Sequence, residues 1–198
     1  MRAALEQFSA HGFESSSMDD IAAGASVTKP IIYRHFHSKR SLYLELLDYV
    51  GASLTAAIQE ATSNIESPHE RLRAGVYAFF RFVSEHRSAY LILFDPRGQR
   101  DREFQEVLDR IQLRIASLVA SRVTGVSDES YKIFISFALI GLAQGAARSF
   151  LIDSEKSGQA SPIRKLAEER AYETAELLWS GMRNIPSQPG CDPALDGS

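Results

Sequence analysis

Helix-start signals recur along almost the whole chain, and they constrain its fold more than any other feature. Ser17, Ser67 and Ser127 each stand where a helix cap is needed, before apolar residues spaced three or four positions apart. Pro30 and Pro68 lie in the first turn of such runs, where a missing N–H group costs no hydrogen bond. No segment shows the sustained alternation of a strand or an Asn-Gly hairpin turn. The sequence therefore predicts an all-α fold.

The predicted helices divide into a small amino-terminal unit and a larger unit that follows it. Three short helices occupy the start of the chain, and a long helix from Lys39 to about Ser63 leads out of them. The end of the chain holds too few apolar residues to fold. We therefore predict a three-helix domain at 1–45, a larger helical domain at 46–185 and a flexible tail at 186–198.

Composition argues against several classes of protein. The chain is 44% hydrophobic and 24% charged, which is typical of an ordinary globular protein. Its apolar stretch at 133–147 is interrupted by Ser136 and Gln144, so we expect no transmembrane helix and no membrane partner. Glu6 comes too early for a signal peptide, so we expect a cytoplasmic protein. The single cysteine, Cys191, permits neither an intrachain disulfide nor a cysteine metal cluster, and we predict no role for it.

Residues 17–40 have the organisation of a helix-turn-helix. A short helix that begins at Ser17 is followed by a three-residue turn and by a second helix that begins at Thr28. Ile32 and Phe36, four positions apart, give the second helix an inner face that packs against the first. The outer surface of this helix is predicted to carry Thr28, Lys29, Ile31, Tyr33, Arg34 and His35.

This second helix is also the most basic part of an acidic chain. Residues 28–40 carry four cations and no anion, whereas the whole chain has a formal net charge of -3. Attraction of a polyanion depends on the charge of the face that meets it. A basic helix alone is often only a solvated surface. The turn and the interleaved aromatic residues favour DNA binding instead, since cations and hydroxyls bond phosphates and an apolar side chain can contact a thymine methyl group.

Residues 4–47, ALEQFSAHGFESSSMDDIAAGASVTKPIIYRHFHSKRSLYLELL, resemble the DNA-binding domain of the TetR family of bacterial transcriptional repressors. The shared pattern consists of Phe, Gly-aromatic, Ser/Thr, Ile-Ala, Tyr-x-His-Phe and Ser-Lys. The resemblance implies that four residues face the bases or the groove: Lys29, Pro30, Ile31 and Tyr33. It implies phosphate contacts for Ser17, Tyr33, His35 and Lys39. With Thr28, at the start of the reading helix, and Arg34, these residues are the predicted DNA-binding set.

The chain departs from the family pattern at two positions. The family usually has Gly in the turn where this chain has Ser26, so we expect an unusual backbone conformation there, or else compensating freedom at Gly24. A small polar residue is common where Ile31 stands, which indicates that recognition depends on a contact with a methyl group.

A helix-turn-helix reader needs two half-sites about one helical turn apart, so we expect a homodimer on a palindromic double-stranded operator. The predicted helix at 127–153 is apolar nearly all round and carries small residues on one side. The resemblance implies that the last two helices form a four-helix bundle with those of the partner. Packing within one chain is the alternative, because periodicity does not separate a core from an interface. The predicted interface residues are Phe134, Ala138, Gly141, Gly145, Leu178, Trp179 and Met182.

Seven aromatic residues fall within residues 77–104, and they predict a pocket for a small hydrophobic ligand. The alternative for each of them is an ordinary place in the core. We expect the effector to bind between the fourth, fifth, seventh and eighth helices and to tilt the fourth, which changes the spacing of the two reading heads. The predicted lining residues are Phe79, Phe82, His86, Tyr90, Phe104, Leu108, Phe137 and Gln144.

These features predict a DNA-binding transcriptional regulator, a repressor that a small hydrophobic ligand releases from its operator. One alternative is a DNA-organising or partner-binding protein of the same fold without an effector, and another is a ligand-binding helical protein that does not bind DNA. His35 and His37 are two positions apart with no obvious third ligand, and neither a phosphate-binding glycine loop nor a nucleophile elbow occurs. We therefore expect no catalysis, metal or cofactor. Tyr33→Ala and Lys39→Ala should each weaken DNA binding, the latter with a shallower salt dependence.

Overall fold

The computed structural model describes residues 1–94, 101–157 and 160–183, and within these ranges all regular secondary structure is helical, which confirms the all-α prediction. The predicted tail at 186–198, with Cys191, lies outside the described residues. The described helices are α1 (Arg2–Ser15), α2 (Met18–Gly24), α3 (Lys29–His35), α4 (Lys39–Thr62), α5 (Pro68–Glu85), α6 (Arg87–Phe94), α7 (Arg102–Ala120), α8 (Glu129–Ser157) and α9 (Ala160–Met182).

Side-chain caps fix where several helices begin. The Ser17 hydroxyl accepts a hydrogen bond from the Asp20 backbone N–H at 3.1 Å, which caps α2 as predicted. The helix α8 differs from the prediction, because Asp128 rather than Ser127 caps it. One Asp128 carboxylate oxygen accepts the backbone N–H of Tyr131 at 2.7 Å. A carboxylate in this place also interacts favourably with the positive end of the helix.

Gly12 interrupts α1 with φ 77° and ψ 170°, a backbone conformation that glycine adopts without steric cost. Gly12 therefore ends the first regular stretch of α1, although a further helical turn continues to Ser15. The hydroxyl of Ser16 donates to the Gly12 carbonyl at 2.7 Å and ties this last turn together.

Residues 1–54 and the described residues of the range 85–112 form one compact unit, here called the amino-terminal unit. In it α1 packs against α2 and α6, and α2 packs against α3. An aromatic cluster lies inside it, with the Phe104 ring 4.8 Å from Phe13 and 4.6 Å from Tyr43. Because α6 and the first part of α7 share this core, the packing unit extends well beyond the boundary predicted at residue 45.

Within the amino-terminal unit, α4 and α7 approach each other closely. A Cβ atom at Gly51 would lie only 2.7 Å from side-chain carbons of Ile111, so glycine is needed there for space. One turn away, the Arg110 guanidinium lies 3.3 Å from the Asp48 carboxylate. The two helices are therefore held together by both packing and charge.

Residues 55–84 and the described residues from 113 onward form a second compact unit, here called the carboxy-terminal unit. Its helices α8 and α9 pack along one another, and the buried rings of Phe80 and Phe150 lie 6.0 Å apart. At the start of α5, His69 Nε2 lies 3.0 Å from Glu176 Oε1. The imidazole also lies 4.8 Å from the ring of Trp179, so α5 is fixed to α9 at this point.

By length and composition α8 is apolar enough to cross a membrane, although its polar interruptions predicted otherwise. One such helix is weak support for a membrane span, since a core helix of a soluble protein meets the same criteria. Only 28% of its apolar window is buried inside the chain, however. Much of the apolar surface of α8 therefore faces outward.

Candidate nucleic-acid interface

The helix α3 turns one side to the core and the other to solvent, as its spacing predicts. Ile32 is 7% exposed, whereas Ile31 and Tyr33 are each 41% exposed. Phe36 ends the helix and is half-buried. The remaining predicted contacts on this helix are also exposed: Thr28, Lys29, Pro30, Arg34 and His35. Seven of the nine predicted DNA-binding residues are therefore exposed on or beside α3.

The turn before α3 depends on an unusual conformation at Ser26. Its φ is 55°, and among the described residues it is the one non-glycine residue with a positive φ. The Ser26 and Val27 backbone N–H groups donate to the carbonyls of Ala23 and Ala22, both at 3.0 Å, which closes the turn. The left-handed region costs an ordinary residue about 1–2 kcal/mol. The expectation of an unusual backbone at Ser26 is confirmed, and the alternative at Gly24 is wrong because its φ is not positive.

Lys29, at the start of α3, forms an ion pair with a residue of α2. Its Nζ atom lies 2.8 Å from Oδ2 of Asp19, and 48% and 65% of the two side chains are exposed. The hydrogen bond to Asp19, with the charge of that carboxylate, raises the pKa of Lys29 above its ordinary value. Lys29 therefore stays charged, and its ammonium group is already oriented in the free protein.

Lys39, a predicted phosphate contact, is bound within the chain, and its contact with phosphate stays a prediction. Its Nζ atom donates to the carbonyl oxygens of Phe13, Glu14 and Ser16, at 2.7, 3.1 and 2.9 Å, and lies 4.5 Å above the Phe13 ring. An ammonium group has three N–H donors, so all of them are used. Lys39 fixes the end of α1 to the start of α4.

The hydroxyl of Ser17, another predicted phosphate contact, also has partners within the chain. It donates to the Asp20 carboxylate at 2.6 Å in addition to accepting the Asp20 N–H. Ser17 therefore serves first as the cap of α2, and its contact with phosphate stays a prediction.

Arg40, which follows Lys39, joins α4 to the start of α7. Its guanidinium donates two hydrogen bonds to Asp101, at 3.0 and 2.7 Å, and one to Glu103 at 2.9 Å, and it lies 4.9 Å from the Phe104 ring. Asp101 also caps α7 by accepting the Glu103 N–H at 3.0 Å. The guanidinium lowers the pKa of Asp101, so the carboxylate is ionised at neutral pH.

The basic stretch therefore presents less free charge than its sequence predicts. Two of its four cations, Lys29 and Arg40, form ion pairs, and Lys39 is bound to carbonyls. In the part of the chain that the structure describes, Arg34 is the cation of this stretch without an ion pair or hydrogen bond. The partners of Arg40 lie 61 and 63 positions away, so no local pattern could have revealed them.

The predicted pocket residues divide between the two units. Phe79, Phe82, Phe137 and Gln144 lie in the carboxy-terminal unit, whereas His86, Tyr90, Phe104 and Leu108 lie in the amino-terminal unit. Phe104 belongs to the aromatic cluster with Phe13 and Tyr43. Phe137 is 40% exposed on α8 and shares the outward side of that helix with Phe134. The pocket itself stays a prediction.

The predicted interface residues on α8 are all exposed: Phe134, Ala138, Gly141 and Gly145. On α9 the prediction is wrong for Leu178, which is 5% exposed and belongs to the core, while the neighbouring Leu177 is 60% exposed. Trp179 and Met182 are half-buried. Spacing by three and four positions from Phe134 would have placed Phe137 on the same side of α8.

Known proteins resemble this chain in sequence over both units. Residues 1–46 match the family model described as bacterial regulatory proteins, tetR family. The HTH-type transcriptional activator FasR of Mycolicibacterium smegmatis is 28% identical over 189 residues, which are 93% of this chain and 81% of that protein.

Solved structures share the fold. A TetR-like transcriptional regulator from Rhodococcus sp. RHA1 is 27% identical, with a TM-score of 0.67 and 93% of each chain covered. FadR from Bacillus subtilis, solved in complex with stearoyl-CoA, has a TM-score of 0.75 over 91% of this chain and 96% of that one. Its identity is only 16%, so this likeness shows the fold alone. The helix-turn-helix geometry, the family match over residues 1–46 and these relatives together support a DNA-binding transcriptional regulator of the TetR type.

Proposed function

We propose that this regulator binds a palindromic operator as a homodimer in the cytoplasm, and that a small apolar ligand releases it. The observation that carries the proposal is the exposure of α3, which presents a phenol, a guanidinium and an isoleucine methyl group to solvent. Each of these groups has a partner in duplex DNA, namely phosphate oxygens, base edges and thymine methyl groups.

Because the surface of α3 carries little free positive charge, we expect phosphate contacts to contribute little to DNA affinity. Of the cations near α3, Arg34 is free to contact a phosphate, whereas Lys39 and Arg40 are held by carbonyl and carboxylate oxygens. Each phosphate that is neutralised adds about 0.9 to the slope of log affinity against log salt concentration. We therefore expect a shallow salt dependence and an affinity that depends strongly on base contacts through Ile31 and Tyr33.

The exposed stripe of α8 supports the homodimer. Phe134, Phe137 and Ile152 are 66%, 40% and 50% exposed, and a contiguous apolar surface of this kind on one chain marks an interaction site. A Cβ atom added at Gly141 or Gly145 would meet nothing within 4 Å, so a second helix has room to approach the backbone. We define the α8 stripe as residues 134, 137, 138, 141, 142, 145 and 152.

A second copy of the chain fits this stripe better than a membrane does. Arg148, one turn beyond Gly145, is exposed on the same side of α8. A guanidinium at this depth of a lipid bilayer is costly, whereas at the edge of a protein interface it stays hydrated. Two-fold packing of the stripe on itself would also place two reading helices on one palindrome.

We propose that the effector is a ligand with a long apolar chain. The proposal rests on the buried aromatic side of α5, where Phe79, Phe80 and Phe82 are each less than a tenth exposed. FadR of Bacillus subtilis, which shares this fold, was solved with stearoyl-CoA. Helix α4 is continuous from one unit into the other. Lys39 attaches the start of this helix to α1, and Arg40 attaches it to α7. A shift of α4 would therefore carry the reading head with it.

Activation is the second candidate for the sign of regulation. The resemblance to the family implies repression, but FasR is named an activator. A reporter gene placed behind the operator separates the two. Expression that falls when the regulator is present supports repression, and expression that rises supports activation.

Selection of bound sequences from a random duplex library, followed by fluorescence anisotropy, tests the proposal. We expect a palindromic site and a change of roughly 5- to 150-fold in its dissociation constant when stearoyl-CoA is added. Tyr33→Ala and Arg34→Ala should each weaken binding without changing the circular dichroism spectrum. Binding without any sequence preference would favour the DNA-organising alternative. Selective binding that no acyl-CoA alters would leave a regulator but overturn the proposed class of effector.

A further inference from the structure

The exposed residues of α3 change in chemical character along the helix. Its first turn and the turn residue before it expose apolar groups, since Val27 and Ile31 are 36% and 41% exposed and Pro30 is exposed as well. The last turn instead exposes the basic side chains of Arg34 and His35. Apolar and basic groups therefore occupy opposite ends of the reading helix.

The apolar end of α3 carries little free charge. Lys29 is the one charged residue between positions 27 and 31, and its ammonium group lies 2.8 Å from the Asp19 carboxylate. A single exposed apolar side chain is ordinary on a soluble protein. Three within five positions form a cluster, and such a cluster indicates contact with another molecule.

Packing within the chain accounts for only part of Val27. This residue precedes Thr28, the capping residue of α3, and a residue in that place commonly packs against the fourth residue of the helix, here Ile32. Ile32 is only 7% exposed, whereas Val27 is 36% exposed. More than a third of Val27 is therefore still open to a partner.

Thymine is the base that offers an apolar group to a reading helix. Its C5-methyl group lies in the major groove, where the other bases present hydrogen-bond donors and acceptors. The first residues of a recognition helix contact base edges, whereas phosphates lie along the borders of the groove. The apolar end of α3 is thus the end that contacts bases, and thymine methyl groups match its chemistry.

We propose, on the basis of the proposed DNA-binding function, that Val27 is a specificity-determining residue that contacts the methyl group of one thymine in each half-site, while Ile31 contacts that of another. Burial of one methyl group changes an equilibrium constant by about fourfold. Cytosine carries only a hydrogen atom at the same place, so each contact favours thymine. Each half-site of the operator therefore contains at least two thymines that the protein reads through their methyl groups.

Replacement of thymine by uracil removes the methyl group and leaves base pairing unchanged, so it tests these contacts from the DNA side. Each thymine of the selected operator is replaced in turn, and fluorescence anisotropy gives dissociation constants for the wild type, Val27→Ala and Ile31→Ala. We expect two thymines in each half-site at which uracil weakens wild-type binding about fourfold. Val27→Ala should abolish the effect at one of them and keep it at the other, and Ile31→Ala should do the reverse.

The two variants are matched controls for each other, because both shorten an exposed apolar side chain near the start of α3. A purely structural role of Val27 would weaken binding to every duplex by the same factor and leave both uracil effects in place. Circular dichroism verifies folding. Val27→Thr keeps the branched shape of valine with one methyl group fewer, and it should reduce the uracil effect at the same thymine as Val27→Ala. The salt slope should be unchanged in all three variants, since no phosphate contact is lost.

The outcomes separate this inference from the proposed function. A wild-type protein that prefers no sequence would remove both. An operator in which uracil weakens binding at no position would overturn the inference and leave a sequence-specific regulator. The same holds for uracil effects that persist in both alanine variants, or for an effect that Ile31→Ala removes and no substitution of Val27 alters.

Discussion

The reading helix α3 and the long helix α8 both expose large side chains, but they differ in what those side chains require. On α3 the exposed residues include Tyr33, Arg34 and His35, and water hydrates their polar groups. On α8 the exposed residues include Phe134 and Phe137, which water does not accommodate. An exposed polar helix is stable in water without a partner. An exposed apolar helix is stable in water only when a partner covers it.

This difference separates two kinds of association. Contacts of α3 with DNA form and break as conditions change, because each group returns to water at little cost. In the proposed dimer, the contacts of the α8 stripe would be those of an obligate interface, which is a core divided between two chains. We therefore expect DNA binding to respond to salt and ligand, and dimerisation to respond to neither.

The largest effect is expected from a charge placed within the α8 stripe. Phe137→Glu would bury carboxylates against a second copy, and we expect the dimer dissociation constant to rise more than about 100-fold, since an unpaired buried charge costs several kcal/mol. Sedimentation velocity at several concentrations measures it. Tyr49→Glu on α4 is the control, because Tyr49 is 58% exposed and lies outside the stripe.

A dimer that survives Phe137→Glu would contradict this interpretation of α8. A wild-type protein that is monomeric and binds lipid vesicles would instead favour a membrane surface as the cover of the stripe. Loss of the dimer with Phe137→Glu should also weaken operator binding, because each half-site would have to be bound independently.

The second comparison is between two basic residues of the helix-turn-helix. Lys39→Ala leaves three carbonyls without their donor, so we expect the free energy of unfolding to fall by about 2–3 kcal/mol. Arg34→Ala should leave stability within about 0.5 kcal/mol. It should weaken DNA binding and reduce the salt slope by about 0.9. Urea denaturation and anisotropy titrations measure the two quantities.

A shallower salt slope for Lys39→Ala, with unchanged stability, would restore the original prediction that Lys39 contacts phosphate. The structure favours the opposite results for Lys39→Ala, namely a loss of stability and an unchanged salt slope. The comparison is sharp because the two residues are five positions apart and carry the same charge.

How much of the molecule was predictable depends on the distance between interacting residues. The cap at Ser17, the inner position of Ile32 and the unusual turn at Ser26 involve neighbours within a few positions, so local patterns predicted them correctly. The partners of Lys39 lie 23 to 26 positions away. The sequence showed the charge of Lys39 but could not show which oxygen atoms bind it.

The helices α8 and α9 show the other limit. Their apolar composition predicted burial but not the side that faces the chain itself. Adjacent residues of a helix point about 100° apart, so Leu177 is exposed whereas Leu178, one position later, lies in the core. The division of the predicted pocket residues between two units likewise depends on tertiary packing, which periodicity does not encode.

Two glycines extend the comparison from side chains to backbone. Gly51→Ala places a methyl group 2.7 Å from Ile111 carbons, so we expect a loss of about 1–3 kcal/mol of stability despite the better helix propensity of alanine. Gly145→Ala meets nothing within 4 Å in one chain, so the isolated chain should gain up to about 1 kcal/mol. The dimer should nevertheless weaken if a partner helix approaches there. Denaturation at two protein concentrations distinguishes these effects, and a dimer unaffected by Gly145→Ala would mean that the partner backbone lies elsewhere.

The smallest effect concerns Ser26, whose backbone sets the angle between α2 and α3. Ser26→Gly should stabilise the protein by about 0.5–1 kcal/mol, because relief of the left-handed strain exceeds the extra entropy of the unfolded chain. Ala23→Gly, within α2, is the control and should destabilise by a similar amount, since its conformation is helical. If Ser26→Gly also destabilised the protein, the serine side chain would have to contribute more stability than the left-handed backbone conformation removes. Operator affinity should change with neither substitution, because the turn sets the position of α3 without contributing to its exposed surface.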